Sequence, residues 1–289
     1  MKTYEVFHTT INIGETVALM IFAKYLKMIK NADHIVFNTA TFWEDRYMNR
    51  SIKVETLFKD LIDEFIHDPD VKSKDREHIR KCPGNAWVAT QYLVAKYGQQ
   101  IMPKLNLDSS EYTGEQYDWN NYICFSPLWD GEYNPPRGMN HKFCNKLIDE
   151  LNVTYRDNFY VITDKPNLVR NKKIKIIHTD NLYDIIYFIS KSKVYIGGDT
   201  GFTHFAGLGR PRGLISIYEE DQFRHFNRMR HQGLYPNGNW NSDPVVDRSK
   251  TVHLHLNMIN NALSNFKQIH HVINLIDEER ICIEKGEWK

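Results

Sequence analysis

Apolar residues in this chain fall into two kinds of run, short ones of strand length and longer ones with helical spacing, and the two kinds alternate. Residues 4–7 (Tyr-Glu-Val-Phe) read as a strand, and residues 8–15 as a loop of small and polar residues with one glycine. Residues 16–29 then carry good helix formers, and residues 33–38 read as the next strand. Strand, loop, helix and strand in that order predict a parallel sheet with crossover helices. Helical spacing returns over residues 54–67, and again over 87–97 after the Cys82-Pro83-Gly84 breaker.

Residues 102–121 are polar, rich in Asp, Ser, Gly and Tyr, and without a period, which places a domain boundary near residues 106–120. The alternation then restarts. Strands are expected at 122–126, 159–163, 174–177, 193–197 and 213–218, with helices at 141–151 and 181–190 and a Gly-rich lead into another helix after residue 197. Two α/β halves result, expected as domains 1–118 and 119–289, with a helical C-terminal stretch, 260–284, packing back on the first. No internal repeat or low-complexity tract is present.

The 289 residues suffice for two domains and a sizeable core. With 42% hydrophobic, 25% charged and 13% aromatic residues, the composition excludes a disordered or linker protein. No apolar run reaches the roughly 20 residues of a spanning helix, and the first residues lack an apolar signal core, so a cytoplasmic location is expected. Cys82, Cys124, Cys144 and Cys282 are far apart and form no metal-binding spacing; they read as reduced, mostly buried thiols. Lys and Arg (37) balance Asp and Glu (36), so no global field draws the chain to nucleic acid or membrane, and an anionic ligand must be held locally.

The strongest local signal is Gly197-Gly198-Asp199-Thr200-Gly201-Phe202-Thr203-His204, between a strand and a helix. Three glycines in five residues allow close backbone approach to a ligand, and a helix N-terminus offers free N–H groups and a positive dipole end to a pyrophosphate. Thr200 and Thr203 can add hydroxyl donors, or Thr200 can simply cap the helix. The spacing matches neither the dinucleotide fingerprint nor the P-loop.

The wider segment from Val194 to Pro211 resembles the D-[ST]-G-x-x-H-x-A signature, followed by a proline, of the heptosyltransferase-like glycosyltransferases, family nine in the usual classification. The spacing from Asp199 through Gly201, His204 and Ala206 is similar, although Gly207-Leu208-Gly209 replaces the usual alanines. Ile13-Gly14-Glu15 resembles that family's first loop, with Glu15 where an Asp is usual. The resemblance implies a GT-B fold, two Rossmann-like domains facing across a cleft. It further implies a nucleotide-diphosphate sugar donor held mainly by the C-terminal domain, and transfer with inversion.

Displacement at an anomeric carbon needs a base for the acceptor hydroxyl and a cationic or dipolar site for the leaving diphosphate. Glu15 is the candidate base; its plainer role is that of a first-turn acid complementing the helix dipole. Should it not serve, His8 and then Glu44 and Asp45 are next. Arg137 falls about where the family carries a basic residue, and its bidentate fork suits phosphate oxygens. Lys142 is the rival for that role. Glu15 and Arg137 are therefore the expected catalytic residues, and Gly14, Ser126, Lys142, Gly198, Asp199, Thr200, Gly201, Thr203 and His204 the expected donor-binding ones. A strand-end Ser126 and a helix-face His204 also have ordinary structural roles.

No redox cofactor and no metal are expected, and the chain is expected to be a monomer. The acceptor is open between a saccharide, which the resemblance favours, and a hydroxylated DNA base flipped into the site. The second choice draws on the basic, aromatic run from Phe223 to His231, which reads equally as a solvated helix with an apolar face. Glu219 and Glu220 are candidate acceptors for ribose hydroxyls. A nucleotide-sugar-binding protein without catalysis is the alternative of another class, and the carboxylate at position 15 argues against it.

Overall fold

Both halves of the chain build a sheet in which every described pairing is parallel. The computed structural model describes residues 1–7, 13–38, 54–66, 79–81, 93, 96–115, 117, 121–129, 139, 141–179, 181–198, 200–209, 213–219, 250–254, 269–270, 273–274 and 277. The first sheet is formed by β1 (Thr3–Phe7), β2 (His34–Asn38), β3 (Glu64–Ile66) and β4 (Ile79–Lys81) in the order β3-β2-β1-β4. Helix α1 (Ile13–Ile29) links β1 to β2, and a short α2 (Val54–Phe58) precedes β3.

The second sheet has six strands: β5 (Ile123–Ser126), β6 (Phe159–Ile162), β7 (Lys175–Ile177), β8 (Val194–Gly197), β9 (Gly213–Glu219) and β10 (Lys250–Leu254). Their order is β10-β9-β8-β5-β6-β7. Helices α3 (His141–Tyr155), α4 (Leu182–Lys191) and α5 (Gly201–Gly209) connect them. Two parallel α/β units of this kind fit the expected GT-B architecture.

α1 is buried nearly all round its middle, with every residue from Val17 to Ala23 in the core, as expected of a helix covered on several sides. It stops at Asn31, which takes a left-handed φ of 52° that Asn tolerates, and the Ala32 amide turns back to the Leu26 carbonyl at 3.1 Å. α4 starts on Asn181, whose side chain accepts from the Tyr183 amide at 3.1 Å.

Strands of the second sheet are covered on both faces, which is why they read as continuous apolar runs. Ile123, Phe125, Val161, Val194 and Ile196 face one core with α3. Tyr122, Cys124, Tyr160, Ile162 and Tyr195 face the other, which they share with α4, α5 and the first half's α1 and α2. α1 packs on α5, and the rings of Phe58 and Phe205 meet across this junction at 6.2 Å. Cys124 and Cys144 are buried thiols, and burial pushes the Cys124 thiol up to about 12. Cys82 and Cys282 lie outside the described residues.

The structure departs from the sequence reading in three places. The helix expected over 54–67 ends at Phe58, and residues 64–66 form β3 against Val36–Asn38 of β2, so sheet pairing overrides the helical spacing. β4, with only one apolar residue in three, gave no strand signal. α1 begins at Ile13, which puts Gly14 and Glu15 inside its first turn and not in a loop. Of the C-terminal stretch, residues 269–270, 273–274 and 277 are described: Ile269 and Ile273 lie against the second sheet's core, and Tyr155 donates to Asp277 at 3.0 Å.

Candidate functional site

In open parallel sheets, ligands bind beyond the carboxyl ends of strands at the point where strand order reverses. In the second sheet that point lies between β5 and β8: the chain runs outward from β5 through β6 and β7, then returns to the other side of β5. Ser126, the last residue of β5, is in register with Gly197, the last of β8. In the first sheet the reversal lies between β1 and β4, where Phe7 is in register with Lys81. The segment leaving β1 there leads into the first turn of α1, which carries Gly14 and Glu15. α1 and α5, the helices that follow the two reversal strands β1 and β8, are the same two that pack together.

The turn from β8 into α5 is tightly built. The Gly198 carbonyl accepts from the Thr200 amide at 2.8 Å and from Thr203 Oγ1 at 2.6 Å. The Thr200 carbonyl in turn accepts from the amides of Thr203 and His204 at 3.1 and 3.4 Å, which starts the helix. Thr200 thus occupies the capping position, yet its Oγ1 is buried without a hydrogen bond of good geometry, so the hydroxyl does not serve as the cap.

Two glycines of the turn are demanded by packing. A Cβ on Gly197 would collide with the Tyr195 hydroxyl and come within 2.5 Å of Thr203 Oγ1. A Cβ on Gly198 would lie 2.9 Å from Leu128 Cβ, beyond the end of β5. Leu128 is held in turn by the Met139 amide, which donates to its carbonyl at 2.7 Å.

Tyr195 is the residue of this region that the sequence reading passed over, because a tyrosine inside an apolar strand reads as core. Its phenol is fully buried 3.4 Å from Thr203 Oγ1. Burial pushes its pKa well up, an effect that the hydroxyls of Thr203, Ser126 and Thr200 partly offset, so it stays a neutral donor. Ser126 is itself only 3% exposed and lies beside this phenol. Glu5, a carboxylate buried on β1, was likewise unremarked in the sequence.

The other expected residues are placed as follows. Gly14 is buried, and Gly201 opens α5 half-buried. His204 is buried on α5, and Lys142 is exposed in the first turn of α3. The backbone of Glu15 lies in α1. Glu219 ends β9. Arg137, Asp199, Glu220, His8, Glu44, Asp45 and the run from Phe223 to His231 lie outside the described residues. Among the described residues no three His, Cys, Asp or Glu side chains gather as a metal site, and no helix is long and apolar enough to cross a membrane.

No family model and no curated protein sequence matches the chain. Solved structures do. The chain is similar to the E. coli ADP-heptose LPS heptosyltransferase II, with a TM-score of 0.59 and 10% identity, over 96% of this chain and 99% of that one. It is also similar to a glycosyltransferase family 9 protein from Veillonella parvula, with a TM-score of 0.54 and 10% identity, over 97% of each chain. At such identities the likeness establishes the fold: this chain has the GT-B fold found in the glycosyltransferase family that its two short motifs resemble.

Proposed function

We propose that this protein is an inverting glycosyltransferase that moves a sugar from a nucleotide-diphosphate sugar to the hydroxyl of a saccharide acceptor. The observation that carries the reading is the placement of both motifs: each follows a strand at the reversal point of its own sheet, and the helices they open pack on each other. The near full-length likeness to two glycosyltransferase structures supports it. Residues 119–289 hold the donor and residues 1–118 present the acceptor.

In this mechanism the acceptor oxygen attacks the anomeric carbon from the face opposite the diphosphate. A carbon–oxygen bond forms to the acceptor as the bond to the diphosphate breaks, and the electron pair leaves with the diphosphate. The acceptor proton passes to the Glu15 carboxylate. The α5 N-terminus and Arg137 or Lys142 take up the developing charge of the leaving group. Ordered chain groups at that point supply stabilisation that water would have to reorganise to give. No redox cofactor or metal has a step here.

The test is a thermal-shift panel of nucleotide sugars led by ADP-sugars, the donor class named in the E. coli neighbour. The best binder is then incubated with lipopolysaccharide-core acceptors and with hydroxymethylated DNA, and the product's anomeric configuration is read by NMR. The expected result is a glycan product inverted relative to the donor. Binding without turnover of any acceptor would instead support a binding protein.

A further inference from the structure

Beneath the Gly-rich turn lies a short row of buried hydroxyls with a definite direction. Thr203 Oγ1 has one proton, and it is spent on the Gly198 carbonyl at 2.6 Å. Toward Tyr195, 3.4 Å away, Thr203 can therefore only accept, so the phenol is the donor. The order is Tyr195 to Thr203 to Gly198. Both side chains are fully buried, so water neither competes with nor replaces these bonds.

The receiving atom is well placed to matter. Gly198 sits directly after the end of β8, at the reversal point of the sheet, and its carbonyl takes a second bond from the Thr200 amide at 2.8 Å. With both lone-pair directions engaged, this oxygen is held on the helix side. Gly197 rests on the same two hydroxyls, which leave no room there for a Cβ. A peptide turned over at Gly198 would place a carbonyl dipole's negative end at the mouth of the turn, against the charge of any diphosphate bound there.

We propose that Tyr195 and Thr203 are positioning residues of the donor site: their relay of hydrogen bonds fixes the Gly198 carbonyl toward α5, so that the turn is organised for a diphosphate before one arrives. The inference rests on the donor-site reading above and adds to it residues that do not touch the ligand. A preorganised site binds more tightly because the ordering is complete beforehand.

Calorimetric titration with ADP and with inorganic pyrophosphate tests it on the wild-type chain and on Thr203→Val, Thr203→Ser and Tyr195→Phe. Thr203→Val keeps the shape and loses the proton, and it should weaken ADP about tenfold or more while the apo protein still melts cooperatively. Thr203→Ser restores the proton and should stay within about threefold of wild type; Tyr195→Phe should lose about threefold. In the transferase assay the donor KM should rise with kcat little changed. Thr203→Val binding ADP as tightly as wild type overturns the inference alone. If Thr203→Val does not fold, the Tyr195→Phe result decides, and unchanged ADP affinity there has the same force. Wild-type protein that binds neither ADP nor pyrophosphate overturns the donor-site reading, and the inference with it.

Discussion

On the proposed mechanism, replacing Glu15 by Gln removes the base without changing its size, so the transfer rate should fall by roughly 10²–10⁴ while ADP affinity is kept, the donor being assigned there to the other half. Single-turnover kinetics beside ADP titration separate the two effects. Near-full turnover at saturating donor and acceptor would reduce Glu15 to a residue that complements the α1 dipole. A second substitution probes the turn itself: Gly197→Ala must displace the Tyr195 hydroxyl and Thr203 Oγ1. Overpacking of this kind costs about 1–3 kcal/mol, a fall of several degrees in Tm, which calorimetry measures; an unchanged Tm would mean that the two hydroxyls move aside freely. The glycines were legible in the sequence as a turn between strand and helix. The reason for two of them was not, since the sequence suggests close ligand approach and the structure shows side chains from β8, α5 and the segment after β5 filling the space. Tyr195 was illegible for the converse reason: apolar neighbours hide where a phenol's hydroxyl ends up.

Among the elements, the polar stretch between the sheets is the least linker-like. The Asn106 amide donates to the Leu57 carbonyl at 2.9 Å, on the first half. Tyr183 on α4 accepts from the Asp108 amide at 2.7 Å and donates to its carbonyl at 2.8 Å. Asp184 accepts from the Thr113 amide at 2.9 Å and from its hydroxyl at 2.5 Å, and Tyr112 stacks on Tyr187 at 4.8 Å. A sequence without a period still forms an ordered strap, because bonds to other elements join the local ones that Asp108 accepts from the Ser110 amide and hydroxyl. β3 shows the same limit. Residues 54–67 have helical spacing, but Asp63 ties the segment to the sheet by accepting from the Ile35 amide at 2.8 Å and from Lys27 Nζ at 3.1 Å. Partial burial raises the Asp63 pKa, but the Ile35 amide and the Lys27 ammonium outweigh it, so the net shift is downward. A carboxyl lowered in the folded state stabilises it above its unfolded value of about 3.9 and loses that effect as pH falls through the folded value. Asp63→Asn should therefore melt below wild type at neutral pH, with the gap closing as pH drops below about 4. A gap constant down to the acid end would show that Asp63 acts through shape alone.

At the scale of the whole molecule, the twice-started alternation announced two parallel sheets, and their strands fall close to the expected ranges, as at β5, β6 and β8. Strand order could not be read, because parallel pairing joins residues far apart in the chain: Ser126 meets Gly197 across 71 positions, on simple subtraction of their numbers. Placing the candidate site depended on that order, since it decides which strand ends meet. The shared core beneath α1 and α5 has a consequence for how the protein is made. When the first half leaves the ribosome, the helix that packs on α1, residues 201–209, is not yet synthesised. During that interval the nascent chain presents the apolar face of α1 to solvent, the kind of surface that chaperones bind and that aggregates when crowded. A chain stopped at residue 118 should therefore be recovered mainly as insoluble material or in complex with a chaperone, and a chain extended through residue 209 should regain solubility; sedimentation of the two fragments after translation in a purified system measures the difference. Equal solubility would show that the first half closes its own core, and translation speed between residues 118 and 209 would then have no bearing on the yield of active protein.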